Sequence, residues 1–206
     1  MSATEEFWED FYRDGRGAWS GKPNALLVDA VADLAPGTAL DLGCGEGGDA
    51  IWLASRGWQV TAADIASAAL ALAAERATAA GVAEVIEWQR HDLAVSSPPG
   101  SFDLVTACFL HSPVPLPRDQ ILRSAAAAVA PGGTLLVVGH AGPPSWARHD
   151  HGIDFPTPQE VLDGLALPAA RWALRRSDVV TRQVLGPDRE PGTRTDNVLR
   201  VERLRG

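Results

Sequence analysis

Cysteine is scarce in this chain of 206 residues: there are two, Cys44 and Cys108, with no zinc-type spacing between them, so neither a disulfide framework nor a structural zinc site is expected. Basic residues are also in deficit. Eighteen Lys and Arg stand against 26 Asp and Glu, a formal net charge of −8, which argues against a nucleic-acid or anionic-membrane partner because both need a basic footprint. No apolar run approaches the length of a membrane span, and the first ten residues carry acids without a basic stretch or an apolar core, so no signal peptide is expected. The chain is therefore expected to be soluble and cytoplasmic. Tyrosine occurs once against seven tryptophans, and Trp8, Trp19 and Trp146 fall outside the predicted core strands, where aromatics often wall a pocket. Internal repeats and long low-complexity segments are lacking, and the alanine runs at 66–80 and 125–130 are helix formers.

What is present centres on Ala39-Leu40-Asp41-Leu42-Gly43-Cys44-Gly45-Glu46-Gly47-Gly48. An apolar run that ends in an acid and breaks into glycines predicts a buried parallel strand, a tight loop and a helix start. Gly43, Gly45 and Gly48 taken alone spell a dinucleotide fingerprint, in which a helix N-terminus receives a pyrophosphate. Charge argues otherwise. Asp41 at the strand end, with Glu46 and Asp49 in the loop and first helical turn, would repel a pyrophosphate by about 1 to 4 kcal/mol per close pair. A phosphate-free ligand with an amino group and a sulfonium centre suits the loop better, and S-adenosylmethionine (SAM) is one.

The stretch Leu40 to Gly47 resembles the first motif of class I SAM-dependent methyltransferases, and the shared domain would cover roughly residues 36–140. The resemblance implies an α/β, Rossmann-like fold: a mostly parallel seven-stranded sheet with helices on both faces and a C-terminal antiparallel hairpin. It places Gly43, Cys44 and Gly45 under the methionine part of the cofactor. The segment Phe7 to Tyr12, with the loop Arg16 to Asn24, is similar to the N-terminal extension of the thiopurine and tellurite-resistance methyltransferases, whose acceptors are small and soft. That implies a helical lid over residues 1–35, with Trp19 over cofactor or acceptor, and a methyltransferase domain over 36–206, the two forming one compact unit.

Further along, Trp58, Val60 and Ala62 alternate in a second strand ending at Asp64, 21 residues after Gly43, where a carboxylate can accept both hydroxyls of a ribose. Asp64 also suits the cap of the next helix. Ile65 is expected against the adenine. A third strand over 82–89 leads into Arg90-His91-Asp92-Leu93, where Asp92 either caps a turn or accepts from the adenine amine while Leu93 packs on the ring; the resemblance puts the adenine there, beside His91.

Phe102 to Ala107 predicts a central parallel strand whose end, Cys108-Phe109-Leu110-His111, faces the crevice where open α/β sheets bind ligands. Cys108 belongs to the cofactor side, and a nucleophilic role for it is not expected. Phe109 and Trp146 are expected walls of the acceptor pocket. His111 is the candidate catalytic group, as an acid/base or acceptor-orienting histidine near neutral pH, with a hydrogen-bonded structural histidine as the alternative. A helix over 118–129 then meets Pro131-Gly132-Gly133 before a strand over 134–139. His149-Asp150-His151 with Asp154 could be imagined around a metal, yet in so glycine- and proline-rich a loop a flap is the better expectation and no metal is predicted. A helix over 157–165 and strands over 169–184 and 195–204 complete the pattern, with Arg171, Arg175, Arg176 and Arg182 expected on a solvated strand face.

The expected activity is transfer of the methyl of SAM to a small-molecule nucleophile (a thiol, a chalcogen oxyanion or an aromatic heteroatom) by in-line displacement, releasing S-adenosylhomocysteine (SAH). The acceptor class follows from the resemblance. A non-catalytic SAM-binding regulatory module and an NAD-dependent oxidoreductase are the alternatives. A monomer or weak homodimer is expected.

Overall fold

In a computed structural model the described residues are 2–15, 21–147, 155–186 and 189–206. Five strands run parallel, β1 (Thr38–Leu42), β2 (Gln59–Asp64), β3 (Ile86–Arg90), β4 (Phe102–Cys108) and β5 (Val129–His140), and β6 (Trp172–Leu185) and β7 (Pro191–Arg203) close the sheet as an antiparallel hairpin. The order is β3-β2-β1-β4-β5-β7-β6. It reverses between β1 and β4, and in such sheets the crevice outside the strand ends at that switch point receives the ligand. This is the seven-stranded α/β architecture expected from the sequence.

Each central strand is apolar on both faces because helices cover both. On one face, α2 (Ala25–Ala30) and α3 (Gly48–Ser55) bury Leu26, Leu27, Ala30 and Leu53 with Trp58 and Val60. On the other, α5 (Arg118–Ala127) and α6 (Pro158–Leu165) pack Leu122, Ala125, Val161 and Leu165 on Leu40, Val105, Leu135 and Leu199. The alanine-rich α4 (Ser67–Ala79) turns Ala69, Ala73 and Ala77 inward at a four-residue spacing, so its backbone lies close to its neighbours. A capping box of Ser2 and Glu5 starts α1 (Ala3–Arg13).

The structure corrects several sequence expectations. Residues 83–85 form a 3-10 turn, and the third strand starts only at Ile86. The apolar stretch from Asn24 to Leu34, which predicts one helix, is helical only to Ala30, where Arg200 of β7 donates to the Ala30 carbonyl at 2.9 Å and pairs with Asp33 at 2.7 Å, satisfying a helix end that would otherwise need solvent. Pro131-Gly132-Gly133 lies inside β5: the register shifts between Phe102 and Leu104, and a Cβ on Gly133 would stand 2.9 Å from the Phe102 carbonyl oxygen. Glycine lets this bulged backbone press against β4.

Candidate functional site

The bend after β1 is built by three left-handed glycines, Gly43 (φ 70°), Gly45 (φ 52°) and Gly47 (φ 79°). The amides of Gly43 and Cys44 both donate to the Ala63 carbonyl, at 2.8 and 3.0 Å, which ties the loop to the end of β2. Gly47 is also hemmed in, since a Cβ there would lie 2.7 Å from the Trp88 ring and 2.9 Å from the Ala73 methyl. Gly47→Ala is expected to cost about 1 to 3 kcal/mol, combining left-handed strain and overpacking. A denaturant titration yielding an unchanged midpoint would contradict this.

Asp64 is 7% exposed, and its carboxylate accepts from the Gly45 amide at 2.9 Å and the Ala66 amide at 3.0 Å. It fastens the loop and caps α4 at once, leaving lone pairs on both oxygens for a diol. Asp41 is 2% exposed; Oδ1 accepts from the Thr106 hydroxyl at 2.8 Å, whereas Oδ2 is buried with no partner among the described residues. Burial first, then the charges of Asp49 and Asp64, push the Asp41 carboxyl up to about 7. Asp49 accepts from the Asn24 amide at 2.6 Å and is also raised by burial. Burial lifts the thiols of Cys44 and Cys108 well above the ordinary range, so both are protonated, unreactive walls.

Glu46 differs from expectation. Its carboxylate is paired with Arg76 of α4 at 2.6 Å, so it adds little to the negative field of the loop. The acids that set that field are Asp41, Asp49 and Asp64.

Over the loop lies α1. The Tyr12 hydroxyl stands 2.8 Å from where a Gly45 Cβ would be, Glu9 accepts from the Ala68 amide at 3.4 Å, and Glu5 pairs with Arg90. Trp19 falls outside the described residues. On the expected adenine side, Ile65 is half-buried. Both ring nitrogens of His91 are engaged, with Ser96 and Gln89 at 2.9 Å each. Asp92 accepts from the Ala94 amide at 3.0 Å as a turn cap, and Leu93 packs into the core beneath the sheet.

At the end of β4, Phe109 holds a left-handed φ of 52° while its amide donates to the Val138 carbonyl at 2.7 Å; its ring lies 4.6 Å from that of His140. Such a conformation outside glycine is strained. Contrary to what its residue type leads one to expect, His111 does not titrate near neutral pH. Its Nε2 accepts from the His140 amide at 3.0 Å, and burial, then Arg118 and His140, push its pKa down to about 4. The imidazole is neutral at pH 7, and its Nε2 is occupied by a backbone amide.

The sequence reading missed the polar centre next to it. His140 Nδ1 lies 2.8 Å from Asp196 Oδ1, Arg182 donates to Asp196 Oδ2 at 2.7 Å, and Arg194 donates to His140 Nε2 at 2.7 Å. The Arg194 guanidinium sits 5.7 Å from the Trp146 ring centroid. Arg182 was expected on a solvated face; it instead neutralises the fully buried Asp196. A histidine directly after the strand-ending Gly139 was the available signal. Its partners are 42 to 56 residues further along, brought in by the antiparallel pairing of β5 with β7 that sets His140 opposite Asp196. Among the described residues no group of three His, Cys, Asp or Glu could hold a metal; His149, Asp150, His151 and Asp154 fall outside them.

Residues 39–133 match a family model described as a methyltransferase domain. That stretch, just under half of the chain, is thus similar to methyltransferase domains. The match covers the glycine loop, the Asp64 strand end and β4. A ubiquinone biosynthesis O-methyltransferase of Burkholderia orbicola is 35% identical over 109 residues, covering 53% of this chain and 47% of the relative. A ribosomal RNA small subunit methyltransferase C of Chromohalobacter salexigens is 35% identical over 120 residues, 56% of this chain and 35% of the relative. The chain thus spans about half the length, or less, of these curated relatives. The crystal structure of TehB from Haemophilus influenzae superposes with a TM-score of 0.72 at 17% identity, covering 96% of this chain and 67% of that one, which shows a shared fold.

Proposed function

We propose that this chain transfers the methyl group of SAM to a small-molecule nucleophile by in-line displacement, with SAH as the second product. The observation that carries this is the buried, partnerless Oδ2 of Asp41 beside a glycine bend bordered by Asp49 and Asp64. An uncompensated buried carboxylate oxygen calls for a cation or an N–H donor, and it disfavours the diphosphate of a nicotinamide cofactor.

The residues present fit SAM. Asp64 would accept from the ribose diol and Asp41 would face positive charge, while Gly43 and Gly45 let the backbone pass close to the ligand. The resemblance places the adenine beside Ile65, His91, Asp92 and Leu93. Bound SAM supplies an electrophilic methyl carbon, so the protein's part is alignment and exclusion of water. Tyr12 and the rest of α1 cover the loop, in support of a lid over residues 1–35; Phe109, with Trp146, would wall the acceptor. The −8 charge supports a small acceptor over nucleic acid. A cytoplasmic monomer or weak homodimer is proposed with this reading; among the described residues no helix is long and apolar enough to cross a membrane.

Calorimetry with SAM, SAH and NADH, followed by SAH detection across thiols, phenols, chalcogen oxyanions and small-subunit ribosomal RNA, tests the proposal. SAM binding with turnover on a small acceptor is expected. Tight NADH binding without SAM binding would assign an oxidoreductase, cofactor binding with no turnover anywhere a regulatory module, and turnover on RNA alone a nucleic-acid enzyme.

A further inference from the structure

We propose that Arg194 binds a carboxylate or comparable oxyanion of the methyl acceptor, so that the acceptor enters the site as an anion. This rests on the methyl-transfer function proposed above and names the substrate class of the same site.

Arg194 is a half-buried guanidinium with no counter-ion among the described residues. One of its nitrogens donates to His140 Nε2 at 2.7 Å, its central carbon lies 5.7 Å from the Trp146 ring centroid, and among the described residues no carboxylate lies within ion-pair distance of it. Asp196, the acid nearest at hand, is taken by Arg182 on one oxygen and by His140 on the other. Burial accordingly pulls the Arg194 pKa below its ordinary value. A desolvated cation that lacks a partner is costly in the free protein, and an incoming anion removes that cost.

The arrangement also fixes direction. Asp196 holds His140 through Nδ1, and one Arg194 nitrogen stands 2.7 Å from Nε2 and 3.3 Å from Nδ1 of that ring, which engages one edge of the guanidinium. A guanidinium carries five N–H donors in a rigid fork, so donors remain that match the two oxygens of a carboxylate. The His140 ring lies 4.6 Å from Phe109, at the end of the strand next to β1, so the cluster stands beside the glycine bend. The crevice is therefore polarised: Asp41, Asp49 and Asp64 make its cofactor side acidic, and Arg182 and Arg194 outnumber Asp196 on the other. That pattern sorts a cationic donor from an anionic acceptor.

The test titrates SAH-saturated full-length protein with benzoate and acetate against benzamide and acetamide, in the wild type and in Arg194→Met, Arg194→Gln and Arg194→Lys. In the wild type at least one anion should bind about tenfold or more tighter than its amide. Arg194→Met and Arg194→Gln should erase that preference and Arg194→Lys should keep most of it, with SAH affinity within about twofold throughout. Circular dichroism identifies which uncharged variant is folded. The proposal is overturned if neither anion outbinds its amide or if the preference survives loss of the charge. It is also overturned if SAH affinity falls about tenfold with Arg194→Met, since the guanidinium would then serve the cofactor's own carboxylate. Failure of the wild type to bind SAH would instead count against the methyl-transfer function, and the same titrations on cofactor-free protein would still decide the anion site.

Discussion

Asp64→Ala should weaken SAM and SAH binding by about 1 to 3 kcal/mol, roughly a five- to hundredfold rise in Kd, through lost charge-assisted hydrogen bonds to the ribose. It should also lower the stability of the ligand-free protein. In the wild type the two carboxylate oxygens accept the Gly45 and Ala66 amides, both in buried surroundings. Truncation leaves two buried N–H groups unmatched, each costing about 1 to 3 kcal/mol unless water enters. The loop that carries Gly45 and the start of α4 are therefore both released. Asp64→Asn separates the two effects: it keeps the shape and one acceptor, but its amide nitrogen must face one of those N–H donors and its charge is gone. Its stability should lie between wild type and Asp64→Ala, while its cofactor affinity should fall nearly as far as that of Asp64→Ala. Calorimetry paired with thermal melting reads both quantities. A folded Asp64→Asn protein with wild-type affinity for SAH would show that the ribose is held elsewhere.

The legible parts of the site were those encoded locally. The glycine bend, Asp41 and Asp64 sit at strand ends marked by adjacent apolar runs, and sequence order alone brings the ends of β1 and β2 together because consecutive parallel strands pair. Phe109 and His111 were visible for the same reason, as the exit of β4. What stayed hidden depends on distant pairing. Arg76 neutralises Glu46 from the third turn of another helix, so a count of loop acids overstated the field. The Arg182–Asp196–His140–Arg194 chain exists only because β7 runs antiparallel to β5, and hairpin register is not marked by any motif in residues 186–194. Protonation was equally hidden. A histidine in sequence carries its ordinary titration, whereas His111 is held neutral by burial first and then by Arg118, and it accepts from a backbone amide 29 residues away. Residues 130–133 misled through punctuation: a Pro-Gly-Gly run reads as a break, yet close approach of β4 uses it within a strand.

SAM binding should strengthen with pH across neutrality, and Asp41 should be the cause. Its carboxyl sits at about 7 in the ligand-free protein, raised by burial and by Asp49 and Asp64, with only the Thr106 hydroxyl opposing. A raised carboxyl pKa means that the folded protein holds this proton more tightly than the unfolded chain does. Its contribution to stability is therefore full below the ordinary carboxylate range and is lost as pH rises through about 7. A cation placed against Asp41 reverses the preference, because it favours the ionised form and expels the proton on binding. If one proton is released, the competent ionised fraction rises from about a tenth at pH 6 to about nine tenths at pH 8, so Kd for SAM should fall about tenfold over that interval. His111 does not titrate in this window. Asp41→Asn should bind SAM weakly at both pH values with a flat profile, since it neither carries the charge nor releases the proton. Calorimetry in buffers of different ionisation enthalpy counts the released proton directly. A wild-type Kd unchanged between pH 6 and 8, with no proton released, would mean that positive charge is bound away from Asp41.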